Sequence, residues 1–312
     1  LGCLARGVRV YLLYDAVGSH SLPRAYITEL TTAGAHVQSF TGSTRRFRRL
    51  QINFRNHRKI VVVDGHIAFV GGLNVGDEYV GRDDHLTPWR DTHVSVRGPV
   101  ATAAQVPFVE DWYWSTGELP LVDWNPVATD GGHTALSLPS GPADDVETGS
   151  LLFVHAINSA RRRLWIVSPY FVPNGSIMDA LKLAALRGVD VRILLPGLTD
   201  NRLVQLAGRA YYAELIALGV QIFRYARGFL HQKVMLIDDD LATVGTANLD
   251  NRSMLLNFEQ TMVFAGAFAC QVEAMLIEDF AHAQQIDATQ VSGEPWWSRA
   301  MSRGARLLSP VL

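Results

Sequence analysis

Lysine is almost missing from this sequence. Of its 28 Lys and Arg residues only Lys59, Lys182 and Lys233 are lysine, so basic positions nearly everywhere else have gone to Arg. Cysteine is rarer still: Cys3 and Cys270 make neither a disulfide framework nor a metal-ligand cluster, and their apolar or small neighbours suggest inert thiols. No run approaches the roughly 18 apolar residues of a membrane span, and the opening LGCLARGVRV lacks the layout of a signal peptide. A surplus of charge is missing too. A formal net charge of -2 gives no global field to draw in a polyanion, which disfavours nucleic acid as a partner and a nuclease as a function.

What is present is material for a core. The 312 residues are 48% hydrophobic and 19% charged, the balance of a globular protein with room for two domains. They also contain a repeat. HRKIVVVDGHIAFVGGLN, from His57, returns as HQKVMLIDDDLATVGTAN, from His231, with His, Lys, Asp, Gly and Asn at the same offsets, 174 residues apart. Upstream, LARGVRVYLLYDAVGS and PRAYITELTTAGAHVQSF match AALRGVDVRILLPG and GRAYYAELIALGVQIFRY, so the duplicated unit is a β-α-β block followed by a motif hairpin.

Strands alternating with helices in each half indicate α/β: two tandem domains with mixed sheets flanked by helices, related by pseudo-two-fold symmetry and sharing one active site. GPVATAAQVPFVEDWYWSTGELP reads as a helix between the copies, and the Gly-, Pro- and Asp-rich stretch after it puts the boundary near Asp130, giving halves 1–130 and 131–312. The second copy carries a helix, a strand and a further helix before Gly188, where the first has six residues before Gly7. The first unit is therefore expected to begin inside its repeat, with a strand and helix ahead of this chain.

Within the first motif two β-branched runs flank Asp64-Gly65, a hairpin signal. Strand alternation puts His57 and Lys59 on one face, and the hairpin returns Gly71 to Asn74 beside His57. Asp64 is left at the tip, on the order of 15 Å away at about 3.3 Å per residue. The same count brings His231, Lys233 and Asn248 together with Asp238 at the far end. Motif spacing groups Asp64 and Asp238 with the catalytic His and Lys; strand geometry reads them as organisers of the turn. Two of the three lysines fall at motif positions, where a compact ammonium can sit beside a phosphate.

Two His, two Lys and two Asn around one point suit phosphoryl chemistry. One imidazole attacks phosphorus and the other protonates the leaving alkoxide, then deprotonates the incoming hydroxyl. Lys59, Lys233, Asn74 and Asn248 would bind and stabilise the phosphate oxygens. A nucleophilic imidazole must be neutral and in the right tautomer, so each His needs an acceptor behind it. Asp91 in WRDTHVSV and Glu259 in LNFEQTMVF each open the next predicted strand after a motif and are the candidates for orienting the two His. Which His attacks is left open by the near-equivalence of the copies.

These motifs resemble the phospholipase D superfamily, whose signature is two copies of H-x-K-x4-D with a Gly-rich turn and Asn. NFRNHRKIVVVDG, GGLNVGDEYVGRD, PWRDTHV, SPYFVPN, GFLHQKVMLIDDD, GTANLDNRS and the terminal RLLSPVL are, more narrowly, similar to bacterial cardiolipin synthases, over essentially the whole chain. The resemblance implies transfer of a phosphatidyl group between two phosphatidylglycerol molecules, giving cardiolipin and glycerol through a phosphohistidine, with no metal or other cofactor. It also implies work at an anionic membrane surface, the bacterial cytoplasmic membrane, with anchoring helices ahead of this part of the chain. A phospholipase D hydrolase releasing phosphatidic acid and a silent anionic-lipid-binding module are the alternatives.

Other features carry less. RRFRRL, from Arg45, could clamp lipid headgroups or be a solvated loop. DWYWS and PWWSR offer rings suited to a bilayer interface or to packing. Arg161 to Arg163 are expected on a solvated helix face. His93, His155 and His282 show no zinc-ligand spacing, and the DDD run ending at Asp240 reads as a turn rather than a Mg²⁺ cage.

Overall fold

The computed structural model describes residues 1–40, 54–83, 85–130, 132–293 and 295–309; the basic run from Arg45 lies outside them. In the second half the apolar runs become a mixed sheet. Arg163–Val167, Asp190–Pro196 and Gln221–Tyr225 run parallel, each preceded by a helix as a parallel crossover requires. Val234–Ile237, Leu241–Gly245 and Asn257–Ala265 continue the sheet antiparallel from Arg163–Val167. Ala283–Ile286 closes the far edge, Thr134–Ser140 pairs with Asn257–Ala265, and the short strand Arg55–Asn56 from the first half completes nine.

Alternation along the strands sorts the core into two layers. Ile166, Ile193, Ile222 and Met235 face helices Thr148–Ser159, Gly175–Leu186 and Arg202–Ile216 through Ile157, Leu181 and Leu215. Trp165, Leu194, Leu236 and Met262 face the other way, onto Leu276 of helix Phe268–Ala281. Ala68, Val70, Val94 and Val96 of the first half belong to that same cluster, so the two halves share one apolar interior.

The first half repeats the plan in fewer strands. Tyr11–Asp15 pairs parallel with His36–Phe40 around helix Arg24–Thr32, and Ile60–Val63, Ile67–Gly71 and His93–Arg97 form an antiparallel trio. In the second half Arg163–Val167 joins the equivalent pieces into one sheet; among the described residues no first-half strand does so. Val61 and Val63 are consequently exposed, while their counterparts Met235 and Ile237 are buried. Helix Pro99–Thr116 links the halves, with Trp112 packed inward and Tyr113 and Trp114 outward.

One local expectation is corrected. Arg161 to Arg163 are not on a helix: Thr148–Ser159 ends before them, and their backbone N–H groups are taken by the Asp238 carboxylate. Cys3 and Cys270 are both exposed.

Candidate active site

Two short strand pairings between the halves build the site. Asn56 pairs with Phe258, and the His57 N–H donates to Phe258 O at 2.9 Å, which brings His57 level with Glu259. Leu230 pairs with Arg90, and the His231 N–H donates to Arg90 O at 2.8 Å, bringing His231 level with Asp91. Each histidine is therefore backed by the carboxylate of the opposite half. His57 Nδ1 lies 2.9 Å from both oxygens of Glu259, and His231 Nδ1 lies 2.9 Å from Asp91 Oδ2. A carboxylate on Nδ1 fixes the proton there and leaves Nε2 with the lone pair.

The surroundings hold those carboxylates as anions. Glu259 is fully buried and also accepts from Thr246 Oγ1, Ser253 Oγ at 2.8 Å and Asn257 Nδ2 at 3.1 Å. Burial alone would raise its pKa, but the hydrogen bond from His57, the Lys59 charge and these donors keep it below the ordinary carboxylate range. Asp91 is held low in the same way, against burial, by His231 and Lys233, and accepts from the Thr92 N–H at 2.8 Å and Trp89 Nε1 at 3.3 Å.

The glycines ahead of Asn74 serve this packing. A Cβ on Gly72 would collide with the Asp91 carboxylate, and one on Gly71 with Thr92 O. Gly245 is pressed against Gln260 O likewise, but the next position in that copy is Thr246, whose hydroxyl donates to Glu259.

Burial dominates the basic groups. It pushes His57 below its ordinary value, with Glu259 opposing, and takes His231 to about 3, with Lys233 adding to the effect and Asp91 opposing. Both rings are neutral at pH 7. Burial also lowers Lys59 to about 7 and Lys233 to about 8, partly offset by Glu259 and Asp91. Lys59 and Lys233 both act on each imidazole, so charges from the two halves converge on one centre.

The two copies are not equivalent. His57 keeps 27% of its side-chain exposure, and among the described residues no hydrogen bond is made to its Nε2. His231 keeps 8%, has Lys233 Nζ at 2.9 Å from Nε2, and is walled in by the rings of Trp89, Phe229 and Tyr79 at 5.0, 5.9 and 6.2 Å. Asn74 is exposed and donates to Tyr79 Oη at 2.6 Å, whereas Asn248 is buried with its amide oxygen lacking a partner.

Asp64 and Asp238 do not join this centre. Both sit at hairpin tips with left-handed backbone, φ 54° and 50°. Asp238 instead receives the N–H groups of Arg161, Arg162 and Arg163 at 2.8–3.3 Å and ties the hairpin to the start of Arg163–Val167. Grouping these two with the catalytic residues is therefore corrected: a strand of four residues separates each from its Lys.

Sequence reasoning missed Asp111 and Asp279. The middle residue of each H-x-K, in the short link between two strands, makes its own buried contacts. Arg58 there meets Asp111 at 2.7 Å, and Gln232 meets Asp279 at 2.8 Å, which also takes Arg90 at 2.7 Å. The signal was available in the polar middle residue of each motif, just ahead of a strand built of apolar residues. Among the described residues no group of three or more His, Cys, Asp or Glu is arranged to hold a metal ion.

The chain is 51% identical over 309 residues to cardiolipin synthase A of Pseudomonas putida strain F1, covering 99% of this chain and 64% of that protein. The same enzyme of Pseudomonas entomophila strain L48 matches at 51% identity with the same coverage. The chain thus spans 64% of the length of these relatives. In structure it is similar to phosphatidylserine synthase of Haemophilus influenzae, with a TM-score of 0.72 at 12% identity over 99% of this chain and 84% of that one, a likeness of fold. The sequence model of the family described as cardiolipin synthase, PLD-like domain, matches residues 2–92 and 153–283, so the chain belongs to that family, once in each half.

Proposed function

We propose that this site transfers a phosphatidyl group between two phosphatidylglycerol molecules at an anionic membrane surface, giving cardiolipin and glycerol. The observation that carries the reading is the pair of crossed His–carboxylate contacts, with Lys59 donating to the His57 carbonyl and Lys233 set against the His231 ring. Such a site can hold one phosphodiester between two imidazoles in line, with ammonium groups on its non-bridging oxygens.

His57 is the nucleophile because its Nε2 is open, whereas that of His231 is engaged by Lys233. Attack of His57 Nε2 on phosphorus breaks the bond to glycerol, whose oxygen takes the proton of His231 Nε2. Entry of the anionic phosphodiester favours the protonated form of His231 that this step needs. Glu259 stabilises the positive charge that develops on His57. In the second step His231 removes the proton from a hydroxyl of the second phosphatidylglycerol. That oxygen attacks phosphorus and releases His57.

Leu73 and Val75 flank Asn74 and are 39% and 102% exposed, which suits a substrate whose phosphate carries acyl chains. The names of the relatives support alcohol rather than water as acceptor. Mass spectrometry of lipids and free glycerol after incubation with phosphatidylglycerol vesicles tests the reading. About one glycerol per cardiolipin, lost in His57→Ala and His231→Ala, is expected. Phosphatidic acid alone makes the chain a hydrolase, and vesicle binding without turnover makes it a lipid-binding module.

A further inference from the structure

The last helix, Trp296–Arg306, is packed inside out. At about 100° per residue, Ser298, Ser302, Ala305 and the following Ser309 form one stripe, and these are the buried positions. Trp296, Trp297, Met301, Leu307 and Leu308 fall on the outward side, at 76%, 55%, 51%, 82% and 46% exposure. A helix that serves only to complete a core turns its large apolar residues inward. Here the small stripe seats the helix on Arg202–Ile216 and leaves the large residues to solvent.

The seat is specific. Arg306 lies over the Tyr211 ring at 4.4 Å, Ser309 Oγ is 3.2 Å from Tyr211 Oη, and Asn251 Nδ2 donates to Ser309 O at 2.8 Å. Asn251 stands three residues after Asn248, so the end of the helix is tied to the segment that supplies the site. Arg303 and Arg306 border the apolar face and are exposed. Two tryptophans and aliphatic side chains rimmed by arginine have the chemistry of a helix lying in the headgroup layer of an anionic bilayer.

We propose that this helix docks flat on an anionic phospholipid surface, with Trp296, Trp297, Met301, Leu307 and Leu308 entering the interface and Arg303 meeting lipid phosphates. The proposal rests on the lipid reading of the site and assigns the surface by which the site is brought to the bilayer. It adds a contact that requires no membrane-spanning helix; among the described residues no helix is long and apolar enough to span.

Co-sedimentation with vesicles of phosphatidylglycerol and phosphatidylcholine, against phosphatidylcholine alone, tests it. The combined Trp296→Ser, Trp297→Ser and Met301→Ser variant is expected to partition at least about tenfold more weakly at an unchanged thermal midpoint, because the residues lost are exposed. Arg303→Glu is expected to weaken binding to the anionic vesicles and not to the neutral ones. Unchanged partition of the triple variant overturns the proposal. So does a wild-type chain that ignores vesicles and forms a dimer that the triple variant dissolves, since the face then belongs to a second copy. His57→Ala is expected to bind as wild type whether or not lipid is turned over, so a failure of the chemistry and a failure of the docking are read separately.

Discussion

Replacing Glu259 by Gln removes one charge behind His57 and keeps the shape of the side chain. In the wild type that charge lies 2.9 Å from His57 Nδ1, in a fully buried position. When His57 attacks phosphorus its ring becomes positive, with charge centres about 4 Å apart. At an effective dielectric constant of about 20 the lost attraction is about 4 kcal/mol, or roughly 10³-fold in rate. Gln also presents an N–H2 in place of an oxygen that accepts from Thr246 Oγ1, Ser253 Oγ or Asn257 Nδ2. That mismatch adds to the loss. The assay is cardiolipin formation from phosphatidylglycerol vesicles, with urea unfolding alongside to exclude loss of fold. Because Glu259 acts through His57, the Glu259→Gln, His57→Ala double variant is expected to be no slower than His57→Ala alone. Titration of the ring protons by NMR should show the His57 pKa falling in Glu259→Gln while that of His231 stays in place. Turnover of Glu259→Gln within about tenfold of wild type would refute the reasoning, and so would a shift confined to His231, since the crossed pairing would then be absent.

The remaining predictions concern protons, a glycine and a turn. Folding holds His231 at about 3 against an ordinary 6.5, so as pH falls below 6.5 the unfolded chain takes up a proton that the folded one refuses. Stability should fall by up to about 1.4 kcal/mol per pH unit from this group, with His57 adding the same sign; a urea midpoint equal at pH 7 and pH 5 would contradict this. Lys59 and Lys233 lose their charge near 7 and 8, so kcat/KM, which reports the free protein, should decline as pH rises through that range. A profile flat to pH 10 would show that the ammonium groups are not needed. Gly72→Ala drives a methyl into the Asp91 carboxylate and should cost about 10²-fold or more in turnover through misplacement of His231; full activity would mean that Asp91 does not orient that ring. Asp238→Ala strands three backbone N–H groups and should lower stability by roughly 1–3 kcal/mol while turnover of the folded variant stays within about tenfold. A loss as deep as that of His231→Ala would return Asp238 to the catalytic set.

Much of the site was legible in the sequence because it lies in local patterns. Two-residue alternation and the hairpin turn send Asp64 and Asp238 to the tips, away from the His and Lys, and the structure has the two Asp there. Asp91 and Glu259 could be named as acceptors because each falls at the start of the strand expected after a motif; the structure sets Asp91 between two strands and Glu259 third in its strand. Their exchange between halves could not, since it depends on the pairings of Asn56 with Phe258 and Leu230 with Arg90, two residues long and far apart in sequence. The unequal histidines were hidden for a related reason: Trp89, Phe229 and Tyr79 come from separate segments and gather only on folding. The last helix misleads by periodicity, because its large residues would ordinarily be assigned to the core, and only the Tyr211 and Asn251 contacts show which side is seated.

The central claim is that one histidine from each half forms a single site in which His57 carries the covalent intermediate. Acid-free quench of the chain during turnover of phosphatidylglycerol, followed by proteolysis and mass spectrometry, reads this directly. The account predicts a phosphatidyl group on the peptide containing His57, its absence in His57→Ala, and no such group on the peptide containing His231. A group carried by His231 in the wild type, or cardiolipin formed at the normal rate by His57→Ala, would contradict it.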